Sequence, residues 1–216
     1  MGADATTVGA AVVTVGNADT ASITFAGVEF TTSGAQTFTA DAYSITGADS
    51  TFATSNDNIT FTDGGADGGI TLADIADLTI TTELGGSGGG NIAVNVPIAG
   101  TSGDGDDATD VTMTAGSGTI TVEDITTDIN DVLLTSTGGI SLDGNITTAA
   151  DSDETGATSG VVTLTGPVTL AGNTTIDTDS TSNNGAVTFS STVDGAKTLT
   201  ITSGSGAVEF GGTIGA

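Results

Sequence analysis

The sequence predicts an all-β chain wound as a parallel β-helix, a solenoid with irregular rungs and polar corner loops. Three observations predict it. Apolar residues alternate with Thr and Ser in short runs, the period of a strand with one buried face. Gly, Asn and Asp separate the runs and supply turns that need positive φ. One unit recurs along the chain: an apolar-Thr-apolar strand, a Gly-rich turn, and a second short strand closing on an apolar residue. Tandem β-sandwiches of roughly 100 residues each are the alternative, since a sandwich also places strands about every 8–12 residues.

The elements follow in chain order. Val13-Thr14-Val15 leads to Ile23-Thr24-Phe25, and Tyr43 anchors the next copy. The segment Ile70 to Leu78, with Leu72 and Ile75, mixes helical and strand periods and reads as a strand and a corner. Leu78-Thr79-Ile80-Thr81 leads to Ile92-Ala93-Val94. The frame is sharpest at Val111-Thr112-Met113-Thr114 with Ile125, at Val132-Leu133-Leu134-Thr135 with Ile146, and at Leu199-Thr200-Ile201-Thr202 with Ile214. Taken as equivalent first strands, Val13, Tyr43, Leu78, Val111, Val132, Val162 and Leu199 are 30, 35, 33, 21, 30 and 37 residues apart. A stacked coil tolerates such spread, because insertions sit at corners while strands pair above and below. The polar stretches at 101–107, 151–156 and 180–185 are read as those corners, and Pro97 and Pro167 as strand openers. Phe25, Phe30, Phe38, Phe52, Phe61, Phe189 and Phe210 read as stacked core. Residues 1–216 make one solenoid segment, a fragment or module of a longer repetitive chain.

Composition narrows function by exclusion. The chain has 27 acidic residues against one basic residue, Lys197, and a net charge of -26. It lacks His, Cys and Trp. A Ser-His-Asp triad, a Cys nucleophile and an ordinary zinc site are therefore impossible. Nucleic acid and anionic lipid would repel it. No apolar stretch approaches the ~20 residues of a membrane helix, and the start of the chain has no secretory leader pattern. The start Met1-Gly2-Ala3-Asp4-Ala5-Thr6 fits the loose myristoylation pattern, but a start codon added to an excised fragment is the expected reading.

Segments such as Thr31-Thr32-Ser33-Gly34-Ala35-Gln36-Thr37-Phe38, Val168-Thr169-Leu170-Ala171-Gly172-Asn173-Thr174-Thr175-Ile176-Asp177-Thr178 and Gly185-Ala186-Val187-Thr188-Phe189 carry a resemblance. The chain resembles the repeats of giant bacterial surface proteins, the filamentous-haemagglutinin-like and autotransporter-like adhesins. The resemblance covers residues 110–216 well and 20–60 weakly. It implies a right-handed β-helix at the cell surface or outside the cell, acting in adhesion or as a structural fibre, with cell-surface or matrix components as partners. It supplies no catalytic residues, and the chain departs from the family's regular repeat length.

Candidate sites are carboxylates. Asp104, Asp106 and Asp107 share one Gly-flanked loop; Asp151, Asp153 and Glu154 share another; Asp177 and Asp179 form a third pair; Asp63 and Asp67 flank two glycines. Oxygen-rich loops suit Ca²⁺, which takes 6–8 hard oxygen ligands. Asp151-x-Asp153-x-Thr155-Gly156 begins like an EF-hand loop, yet its twelfth position is Val162 rather than Glu. Solvated corners are the plainer reading, with Ca²⁺ or no cofactor as the two outcomes. An enzyme is not expected, for want of basic and aromatic sugar-binding residues. The pairs Thr79/Thr81, Thr112/Thr114, Thr119/Thr121, Thr163/Thr165 and Thr200/Thr202 would each project to one strand face. Stacked in register they would make an ice-binding array, but their uneven spacing argues against it. The expected function is a non-catalytic stalk or fibre. Its alternatives are a Ca²⁺-dependent self-assembling filament or surface-layer module and, last, an ice-binding solenoid. Both ends lack a polar cap, so head-to-tail association with further copies is expected.

Overall fold

The computed structural model describes residues 6–8, 12–47, 49–65, 68–73, 76–84, 86, 88–101, 109–148, 160–179 and 184–215. Among them the chain forms three parallel sheets of nine, eight and eight strands. Sheet A holds Thr6–Val8, Glu29–Thr32, Ser50–Thr54, Leu78–Thr81, Val111–Gly116, Val132–Ser136, Val162–Thr165, Val187–Phe189 and Val208–Phe210. Sheet B runs from Val13–Gly16 to Val193–Asp194, and sheet C from Ile23–Ala26 to Leu199–Thr202. Successive strands enter A, B and C in turn, and each pairs with its counterparts one turn earlier and later. This is a parallel β-helix. A sandwich would pair sequence neighbours antiparallel, and the ladders here do neither.

Alternation explains the strands. Val111–Gly116 reads buried, half-buried, buried along its length, and most other strands repeat that rhythm. The inward positions stack into columns. In sheet C one column is Ile23, Tyr43, Ile70, Ile98, Ile125, Ile146, Ile176 and Ile201, each in direct register with the next. Each fully buried aliphatic side chain contributes about 1.5–3 kcal/mol, and no single rung could stand without its neighbours. The aromatic rings crowd the N-terminal half: Phe25, Phe38, Phe52 and Phe61 pack with centroids 4.7–5.4 Å apart. Phe30 joins them half-buried, Phe189 is buried, and Phe210 stacks on Phe189 from the exposed last rung.

Rung length varies while register holds. Ile120 pairs with Ile140, 20 residues on, and Ile59 with Ile92, 33 residues on. The extra residues fall between strands in sequence. Of the long polar stretches, 102–107, 151–156 and 180–183 lie outside the described residues.

Three sequence expectations need correction. The unit has three strands, not two: the closing residues Ile125 and Ile146 open strands of sheet C. Val13 and Tyr43 are not equivalent to Leu78, since Val13 lies in sheet B and Tyr43 in sheet C. Leu199 is not equivalent to Val111 and Val132. It pairs with Thr174 in sheet C, and the sheet A strand of that rung is Val208–Phe210. The cause is physical: all three sides of a rung need one apolar face, so all three carry the same alternation.

Candidate functional site

The outer corners are built from Asp and Asn. In sheet A, Asp77, Asp110 and Asp131 each stand immediately before a strand. Asp77 Oδ1 accepts the amide of Asp110 at 2.8 Å, Asp110 Oδ1 that of Asp131 at 3.0 Å, and Asp131 Oδ1 that of Val161 at 2.8 Å. Sheet B repeats the device with Asn58 and Asn91, which take the amides of Asn91 and Thr119 at 2.8 and 2.9 Å. Sheet C repeats it with Asp124, Asn145 and Asn173. Each side chain thus binds the peptide directly above it and fixes the point where the chain re-enters the ladder. Burial, and then the Asp110 charge, hold the Asp131 carboxyl above the usual carboxylate range, although its bonds from Val161 and Gly160 oppose this. The sequence carried the signal, an Asp or Asn directly before an apolar residue opening a strand, and sequence reasoning passed over it.

The inner corners use hydroxyls. Thr82, Thr148 and Thr178 are buried and donate to the carbonyls of Gly90, Gly160 and Gly185 at 2.7–2.8 Å; Ser136 donates likewise to Gly118. Not every Thr is therefore the outward partner of an alternating strand. Gln36 heads a sheet B strand in a column otherwise apolar, between Val13 and Ile59. Its Nε2 donates to the carbonyls of Phe30 and Ala53, both at 2.9 Å, and approaches Thr32 Oγ1 at 3.1 Å, while its Oε1 is buried without a partner.

One groove of about 330 Å³ lies where sheet B turns into sheet C, lined by Asp63, Gly68, Asn95, Val96, Pro97 and Glu123. Burial raises the Glu123 carboxyl above its ordinary range, and the charges of Asp143, Asp124 and Asp63 push it further. Glu123 was not singled out from sequence, because its stacking beside Asn95 at the end of sheet B depends on register. The groove holds acids but no basic or aromatic side chain to orient a sugar.

Of the carboxylates expected to take Ca²⁺, Asp104, Asp106, Asp107, Asp151, Asp153 and Glu154 lie outside the described residues, as does Asp67. Asp177 sits on sheet C, paired with Thr147 and Thr202, and its Oδ1 accepts the amide of Asp179 at 3.0 Å. Asp63 Oδ1 likewise accepts the amide of Gly65 at 2.8 Å. Among the described residues no three acidic groups converge on a point that could hold a metal ion.

The five Thr pairs separate onto different faces. Thr79/Thr81, Thr112/Thr114 and Thr163/Thr165 lie on sheet A, Thr121 on sheet B and Thr200/Thr202 on sheet C. The last rung leaves its apolar side chains open: Val208, Phe210 and Ile214 are 36–56% exposed, whereas Val187, Phe189 and Val193 directly beneath are buried. Compared with known proteins, the chain matches no family model, no curated protein and no solved structure.

Proposed function

We propose that the protein is a non-catalytic structural or adhesive element displayed outside the cell, a stiff stalk or fibre segment of the kind found in filamentous-haemagglutinin-like and autotransporter-like surface proteins. The observation that carries this reading is the unbroken register of the sheet C column from Ile23 to Ile201, held through rungs of unequal length. A rod whose interior is filled and whose strands keep register transmits length and stiffness, and its polar exterior keeps it soluble. Its partners are then further copies, joined end to end, and the surfaces the rod spans. Val208, Phe210 and Ile214 are exposed apolar side chains, the surface that head-to-tail contact would use.

Light scattering over a concentration series tests the association. The unmodified protein is expected to grow with concentration, and a Val208→Lys, Phe210→Lys variant to remain monomeric with an unchanged far-UV spectrum. Equal behaviour of the two would remove end-to-end contact from the account.

A further inference from the structure

We propose that the outer face of sheet A binds ice. Two columns of hydroxyl-bearing side chains run along it in direct register. Thr79, Thr112 and Thr163 lie on one, and Thr81, Thr114 and Thr165 on the other. Thr135 fills the second column between Thr114 and Thr165, and Thr51 and Thr188 extend the first. The uneven sequence spacing of these pairs does not reach the face, because the strands stay in register whatever the length between them.

The pairing fixes a two-dimensional grid. Neighbouring strands lie about 4.8 Å apart, and alternate residues on a strand about 6.6 Å apart, repeats close to those of the oxygen lattice of ice. Thr is stiff at χ1, and stiffer when flanked above and below, so its methyl and hydroxyl groups are held in repeating positions. Methyl groups order the water against them, and fixed hydroxyls anchor that water without a large ordering cost on binding.

Charge selects the occupant. On a chain of net charge -26, the strand positions facing outward on sheet A carry no charge between Glu29 and Glu209. At outward positions, sheet B carries Asp194 on its last strand and sheet C carries Asp177. A protein partner would be met by aromatic and Arg anchors, and a glycan by aromatic platforms. The described rings lie in the core or at the open last rung. A rigid, hydrogen-bonding lattice, uncharged on its strands and bordered at one edge by the Asp77, Asp110 and Asp131 corner, is what remains. Leu133, exposed in the first column between Thr112 and Thr163, is its one apolar interruption there.

Ice-recrystallisation inhibition and thermal hysteresis of the purified protein test this, with Thr112→Lys and Thr163→Lys as independent variants and Thr121→Lys on sheet B as control. The expected result is activity in the unmodified protein, loss in either sheet A variant at unchanged melting temperature, and retention in the control. Inactivity of the unmodified protein at its highest soluble concentration would overturn the proposal. So would equal loss in the sheet B control, or binding to crystalline chitin or cellulose without any effect on ice.

Discussion

Asp110 and Asp131 occupy the same corner one rung apart, and the Asp131 amide donates to Asp110 Oδ1 at 3.0 Å. The bond clamps the rungs together but stacks two carboxylates at a half-buried corner. Asp131 and Glu123 are both raised in the folded chain, from ordinary values of 3.8 and 4.5. The folded state then holds more protons than the unfolded one. Their contribution to stability is complete below those ordinary values and is lost as pH rises through the raised ones. Thermal melts from acid to neutral pH should show Tm falling across that window. Asp131→Asn keeps an oxygen for the Val161 amide and removes the charge, so it should flatten the profile and raise Tm at neutral pH. A Tm that climbs with pH would contradict this.

Gln36 is the polar member of an apolar column and holds two carbonyls at the corner between sheets A and B. Gln36→Glu removes those donors and places a carboxylate where the side chain is fully buried. The expected loss is several kcal/mol, as for an unpaired buried charge. Gln36→Leu should cost about 1–3 kcal/mol through the orphaned carbonyls. Chemical denaturation measures both, and the order Glu worse than Leu is the result to check.

Position along the stack decides how much a core substitution matters. Ile140 is buried mid-stack between Ile120 and Val168, whereas Leu199 is half-buried in the last turn. Ile140→Asp should abolish cooperative unfolding, because an unpaired charge would sit in the core. Leu199→Asp should fray the final rung and leave most of the far-UV signal. Equal damage from the two would mean the stack ends elsewhere.

The strands were legible in the sequence and their phase was not. Leu78-Thr79-Ile80-Thr81 and Leu199-Thr200-Ile201-Thr202 are the same four residues in the same order, yet the first lies in sheet A and the second in sheet C. Nothing local separates them, because both bury alternate side chains against the same interior. The Asx ladder was readable in principle, as at Asn58-Ile59 and Asp124-Ile125, but its meaning depends on which residue stacks above. The Thr columns of sheet A stayed hidden for the same reason.

Self-repulsion follows from a net charge of -26. Added NaCl should raise Tm by screening it. At equal ionic strength, CaCl₂ reports separately on the acidic stretches at 104–107 and 151–154. An occupied site would add about 2.7 kcal/mol at 100 times Kd, and matching melts would reject a specific Ca²⁺ site.

The strands of all three sheets stack in parallel, one rung upon the next. X-ray diffraction from aligned, concentrated protein tests this stacking most directly. The account predicts a reflection along the fibre axis at about 4.8 Å, the spacing between rungs, from particles whose cross-section stays constant as they grow. Particles that thicken in all directions, or an aligned sample without that axial reflection, would contradict it.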